Sequence, residues 1–267
     1  MTNFLLIDGS YYVFYRYHAL IMWWKHAHPD KALENPSDDQ EFMERFDKTF
    51  VSKIEEFKNK MKLNNPVIIV AKDCPRSDIW RNSLFPDYKK ARKNDSKVGG
   101  LFKHVYETNM FKKVGAHMLL NHPHLEADDC IALSVKNIKR LSPSSIIYII
   151  TSDMDYLQLA DDTIKPINLQ YKFLQDSKQS FKNKEKDLFC KTVIGDKSDC
   201  ILPIFKKCGI KTAEKYYNNR ELFELKLNGD EEAKEKYELN KKLIDFNNIP
   251  KKYVLEFNSG NYTKKLI

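Results

Sequence analysis

Three short apolar runs set far apart in the chain decide most of what it can fold into: Asn3–Asp8 (NFLLID), Val67–Asp73 (VIIVAKD) and Ser145–Thr151 (SIIYIIT). Each is continuous rather than alternating, as a strand buried on both faces is. Helical patterns lie between them. Over Asp39–Leu63, the residues Phe42, Phe46, Phe50, Ile54, Phe57 and Met61 recur at steps of three and four and form a core-facing stripe. Over Leu125–Leu141, Ile131, Val135 and Ile138 share one face. Strands alternating with helices imply an α/β fold, a parallel sheet with helices on its faces. Thr163–Leu169 is expected to add a strand. From about Lys184 the pattern turns helical, over Glu185–Ile194, Thr212–Asn218, Glu221–Leu227 and Glu231–Phe246, with Gly195, Gly209 and Gly229 as breaks. The expected organisation is an α/β core over 1–183 and a helical lobe over 184–267.

Composition narrows the class. With 42% hydrophobic and 12% aromatic residues the chain can bury a core, which excludes wholesale disorder. No apolar run approaches the roughly 20 residues of a membrane helix, and the first residues lack a signal-peptide layout. A soluble intracellular protein with no membrane partner is expected. Five cysteines without a CxxC pair argue against a disulfide framework or a zinc knuckle. The net charge of +8 is concentrated: from Arg81 to Lys113 nine Lys or Arg face three acids, and Lys172 to Lys191 holds six Lys against three acids. Carboxylates crowd Leu125 to Asp162 instead. A basic surface beside an acidic pocket suits a polyanion handled together with cations.

Each buried run ends in, or within two residues of, an aspartate: Asp8, Asp73, and Asp153 with Asp155. Ligands of an open parallel sheet bind at the carboxyl ends of its strands, so these side chains are expected at one edge. Taken singly, each would pass for a helix N-cap. Glu126-Ala127-Asp128-Asp129 opens a helix with Glu126 and Asp129 on one face, and Gly195-Asp196-Lys197-Ser198-Asp199 sets two more acids in a turn. Nine carboxylates brought together cannot all stay ionised without cations. Oxygen-only ligands favour Mg2+ or Mn2+ over zinc, and a pair of such ions suits phosphodiester cleavage. His122 and His124 lack a third nitrogen or sulfur ligand in a recognisable spacing. There is no GxxxxGK[ST] loop and no GxGxxG after a strand, so nucleotide cradles are disfavoured.

In this order, Asp8-Gly9-Ser10, Glu126-Ala127-Asp128-Asp129, Thr151-Ser152-Asp153-Met154-Asp155 and Gly195-Asp196-Lys197-Ser198-Asp199 resemble the motifs of the flap endonuclease/5′→3′ exonuclease superfamily. Tyr88-Lys89-Lys90-Ala91-Arg92 is similar to that family's Tyr-Lys-x-x-Arg, and Leu243-Ile244-Asp245-Phe246 with Ile249-Pro250 is similar to a segment of the phage replicative RNase H. The resemblance spans roughly residues 3 to 250. It implies a PIN-like core with a helical arch at about 81–118 and a C-terminal lobe of helix–hairpin–helix type that binds duplex DNA.

The resemblance implies one metal site at Asp8, Asp73, Glu126 and Asp128, with Asp129 adjacent. A second follows at Asp153, Asp155 and Asp199, with Asp196 nearby. Lys89 and Arg92 match the catalytic pair at the scissile phosphate, Lys90 and Lys93 are expected on the DNA, and Tyr88 either stacks on a base there or packs at the base of the arch. The segment Cys208–Ala213 resembles the duplex-gripping hairpin, with Gly209, Lys211 and Thr212 facing backbone phosphate and K+ as the family's ion there. This chain departs from the pattern at Cys200, where the family has Asn, and by keeping only Gly209 of a Gly-Ile-Gly.

The implied function is a two-metal, structure-specific 5′→3′ exonuclease or flap endonuclease acting on DNA, and on RNA primers in RNA–DNA hybrids, in replication or repair. A monomer is expected, with no sliding-clamp motif and with the viral or phage replication compartment as its setting. The rivals are a PIN-type ribonuclease, which ordinarily lacks the Gly195–Asp199 turn and the helical lobe, and a DNA-binding relative without catalysis, whose carboxylates would be eroded.

Overall fold

The structure, a computed structural model, describes residues 2–31, 33–92 and 96–266. The strands β1 (Asn3–Asp8), β2 (Val67–Lys72), β3 (Met118–Asn121), β4 (Ile146–Ile150), β5 (Ile164–Ile167) and β6 (Thr263–Lys265) form one sheet in the order β5-β4-β1-β2-β3-β6. All pairs are parallel except β3 with β6. The chain leaves β1 for β2 on one side and later reaches β4 on the other, so β1 is the point where the winding reverses. Asp8, Asp73 and Asp153 therefore leave the sheet side by side at the crevice such a reversal opens.

Alternation along the strands feeds two cores. Leu5, Ile7, Ile68 and Val70 point into one, and Leu6, Ile69, Ala71, Ile147 and Ile149 into the other. The first core is covered by α1 (Gly9–Ala27), α2 (Gln40–Lys60), α3 (Ser96–Glu107) and α4 (Met110–Lys113). The second lies beneath α5 (Ala127–Leu141). α2 buries its Phe42, Phe46, Phe50, Ile54 and Phe57 completely. α3, within the stretch expected to arch, lays Val98, Leu101 and Val105 into the first core.

The lobe consists of α6 (Lys184–Ile194), α7 (Ile210–Asn218), α8 (Arg220–Asn228) and α9 (Glu231–Ile244) around the fully buried Phe223. α10 (Lys251–Asn258) then returns to the second core through Phe257. Cys74, Ile79, Tyr88, Ile201, Leu243 and Ile244 weld the lobe to the strand edge.

Several elements were not legible beforehand, among them α1, β3, β6 and α10. α1 follows β1 without a loop and is apolar on nearly every side, so no polar face marks it as a helix; Asp8 caps it by accepting from the Tyr11 N–H at 3.0 Å. β3 is four residues long, and β6 is an exposed Thr-Lys-Lys edge whose pairing, not its sequence, makes it a strand.

Candidate active site

Asp8, Asp73, Glu126, Asp128 and Asp153 line one cleft of about 510 Å3 together with Ser10, Lys89 and Arg92. Gly9 makes the first turn of α1 possible here, because a Cβ at that position would lie 2.6 Å from the Ala71 carbonyl oxygen and 2.7 Å from the Tyr106 hydroxyl. Asp73 ties three elements together. It accepts from the Ser10 hydroxyl and, at 2.7 Å, from the Ala127 N–H at the start of α5. Ser10 carries no metal-ligand signal in the sequence, and its part in the cleft appears only once β2 and α1 are packed.

The charges are out of balance. Burial, then the neighbouring Asp73, pushes the Asp8 carboxyl up to about 7. Burial, then Asp129 and Glu126, raises Asp128 well above the usual carboxylate range. Glu126 goes the other way. Burial would raise it, but the Lys89 ammonium and the Arg81 guanidinium outweigh burial and hold it low. Oxygens of Glu126, Asp128 and Asp129 lie within 4.8 Å of one another. Buried carboxyls that cling to protons for want of positive charge are what a divalent cation would relieve, so this donor set fits a hard ion.

The segment Tyr88–Arg92 folds over the cleft. Lys89 adopts a left-handed backbone (φ +56°) and donates its N–H to the Asp199 carbonyl at 3.1 Å. Its ammonium pairs with Glu126 and lies 3.9 Å from Asp199, and the Arg92 guanidinium pairs with Asp199. Of the two roles open to Tyr88, stacking on a base or packing, the structure has the second: it is buried beneath the cleft and its hydroxyl donates to Glu126 at 3.0 Å. Lys90 is exposed and pairs with Asp87 at 2.9 Å. Lys93 lies outside the described residues.

Asp129, expected beside the first metal site, belongs to the same carboxylate cluster but also turns into the interior, where it accepts from both Arg81 terminal nitrogens at 2.7 and 2.8 Å and from the Trp80 indole at 2.8 Å. Glu126 and Asp129 do share a face, and they use it for a reciprocal capping box on α5. Arg81 is 2% exposed; it also donates to Glu126 at 3.0 Å and to the Leu243 carbonyl at 2.7 Å. The sequence counted it only as one more basic residue.

Asp155 and Asp196 stand apart from the first five. They line the adjoining groove, where the ammonium of Lys191 contacts both, Asp196 at 2.8 Å. Burial, then Asp153, raises Asp155 to about 7. Burial acts upward on Asp196 too, but Lys191 overrides it and holds that carboxyl at about 2. Asp153 joins the two places by accepting the Asp155 N–H at 2.9 Å. Gly209 and Lys211 are exposed at the start of α7 and Thr212 is half-buried. Ile210 and Glu214 of the same helix line the groove with Asp155.

Residues 3–189 match the family described as 5′-3′ exonuclease, N-terminal resolvase-like domain. No curated protein matches the chain. Among solved structures, the fold is similar to the 5′-exonuclease of bacteriophage T5 with divalent zinc ions bound. That protein is 17% identical over 97% of both chains, with a TM-score of 0.65. It is similar also to a T5 protein co-crystallised with metal ions, 15% identical over 96% of this chain and 97% of that one, TM-score 0.64. A pseudo-enzyme–product complex of the T5 flap endonuclease with DNA and metal ions is 14% identical over 97% of both chains, TM-score 0.63.

Proposed function

The chain belongs to the 5′-3′ exonuclease family, and from that premise we propose that it is a structure-specific 5′-nuclease that hydrolyses DNA phosphodiesters near 5′ ends with the help of divalent ions. One observation carries the reading: carboxylates from the ends of β1, β2 and β4 and from the start of α5 converge on a single cleft roofed by Lys89 and Arg92. Asp8, Asp73, Glu126 and Asp128 would hold one ion, and Asp153, Asp155, Asp196 and Asp199 are the candidates for a second. Oxygen-only ligands favour Mg2+ or Mn2+. Such ions supply charge neutralisation at the reacting phosphate and activate water.

The remaining work falls to side chains. Lys89 and Arg92 spend their charge on Glu126 and Asp199, and a phosphodiester entering the cleft offers them a second anion at the same rim. A Lys point charge and an Arg fork aimed at that phosphate would stabilise the charge that develops as the bond breaks. Ser10 and the Ala127 N–H keep Asp73 aimed. Lys97 and Lys103 are exposed on α3, within the basic stretch that would guide a single-stranded 5′ end. The separate apolar cluster about Phe223 supports a helical lobe that starts near 184, whereas α10 and β6, assigned to that lobe by the expected division into 1–183 and 184–267, pack on the core. Gly209, Lys211 and Thr212 would meet duplex backbone at the start of α7. K+ at that hairpin, RNA–DNA hybrid substrates, a monomeric state and a phage replication setting rest on the resemblance alone.

A 5′-flap duplex with Mg2+ tests the proposal. Parent protein should cut near the flap junction, and Asp153→Asn should not. Lys89→Ala and Arg92→Ala should each slow cleavage by about 10²–10³ while duplex affinity changes little. Cleavage by Asp153→Asn at the parent rate, or preference for single-stranded RNA over the flap, would refute it.

A further inference from the structure

The two carboxylate groups differ in what already neutralises them. In the first cleft, the Lys89 ammonium and the Arg81 guanidinium both pair with Glu126 and act on Asp128 from farther off, while among the described residues no ion pair is made to Asp8, Asp73 or Asp128. In the second, Lys191 reaches from the last turn of α6 to lie between Asp155 and Asp196. Its side chain is only 21% exposed, against 14% for Asp155 and 19% for Asp196.

The backbone is built to close this arrangement. The Lys191 carbonyl accepts the Gly195 N–H at 2.8 Å, and Gly195 turns with φ +72° so that Asp196 folds back beside the lysine. A Cβ at Gly195 would lie 2.4 Å from the Ile201 carbonyl oxygen, so glycine is needed for the turn. Asp155 is presented from the other side by the 3-10 turn Met154–Leu159, against which α6 packs.

Resting on the nuclease reading above, we propose that Lys191 is a positioning residue: its ammonium is a built-in counter-ion that keeps Asp155 and Asp196 assembled without metal and must give way before a second divalent ion can enter. The charges set the direction. Asp155 and Asp196 with the Lys191 ammonium leave one negative charge for an incoming divalent ion, and Asp199 is already paired with Arg92. In the first cleft Glu126 is ion-paired, but Asp8, Asp73 and Asp128 are open to the ion. An ammonium and a divalent ion in the same partly desolvated space also repel each other. The protein should therefore load its ions in order, the Asp8–Asp73–Asp128 side first.

Titration of free Mn2+ by electron paramagnetic resonance, in the full chain without DNA, counts the bound ions. The parent protein should bind one ion at least tenfold more tightly than a second. Lys191→Met, which keeps the length and removes the charge, should tighten the second ion about tenfold or more; Lys191→Arg should leave it weak. The metal-free Lys191→Met protein should melt lower than the parent, and saturating Mn2+ should restore it. Two equivalent ions in the parent, or an unchanged second dissociation constant in Lys191→Met, would overturn the inference while leaving the nuclease reading intact. A Lys191→Met protein still unfolded in saturating Mn2+ would overturn it as well, since the ion should replace the ammonium. Failure of the parent to bind any Mn2+ would remove the nuclease reading and this inference together.

Discussion

Substituting Asp129 by Asn separates a structural carboxylate from a metal ligand. Asp129 is fully buried and takes two hydrogen bonds from Arg81, one from Trp80 and, at 3.3 Å, one from the Glu126 N–H. Arg81 is itself 2% exposed, so it cannot turn to water when its partner loses charge. Removing one member of such a pair costs about 3–5 kcal/mol, because the other charge is left buried and uncompensated. Asparagine keeps one amide oxygen for the guanidinium, and Arg81 retains Glu126 at 3.0 Å, so the lower end applies to Asn and the upper end to Ala. At about 2–4 °C per kcal/mol for a chain of this size, Asp129→Asn should melt roughly 6–12 °C below the parent. Circular dichroism melts read the stability, and calorimetric titration with Mg2+ at 20 °C reads the metal. The expected pair of results is a lowered melting temperature with first-ion affinity changed less than threefold. A parent-like melt combined with lost metal binding would show that Asp129 is a ligand and that its bonds to Arg81 are dispensable.

Burial and neighbouring carboxylates push the Asp8 and Asp155 carboxyls up to about 7, against 3.8 for a free aspartate, so the folded state holds their protons more tightly than the unfolded state does. The stability they lend is full below about pH 4 and is lost as pH rises through 7. The metal-free protein should therefore melt lower at pH 8 than at pH 5, and Mg2+ should raise the melting temperature more at pH 8; a metal-free melting temperature that climbs over this interval would contradict the assignment. Gly195→Ala forces a side chain into a left-handed turn and against a carbonyl oxygen, and should cost about 2–4 kcal/mol in a denaturant melt and depress cleavage with it. Tyr88→Phe removes one buried hydrogen bond to the ionised Glu126 and should cost about 1.5–3 kcal/mol with DNA affinity unchanged; equal stability with weaker DNA binding would return Tyr88 to the substrate surface.

The apolar runs determined the sheet, because continuous Val, Ile and Leu segments spaced by helical stripes have few other ways to leave water. They also determined that Asp8, Asp73 and Asp153 share an edge, since parallel strands in register carry their ends to the same side. Sequence alone could not place α1, whose aromatic residues give no polar face to count, nor β6, which is a strand only because β3 offers it an edge.

Which carboxylates meet the cleft was decided by tertiary packing. Asp128 and Asp129 are adjacent in the chain, yet successive residues of a helix point about 100° apart. The partner waiting for each comes from elsewhere in the chain: Arg81 claims Asp129 across 48 positions, and Lys191 on α6 claims Asp155 and Asp196. Residue type and order specify where negative charge gathers. Only the three-dimensional packing specifies which of those charges the protein neutralises itself and which it leaves open.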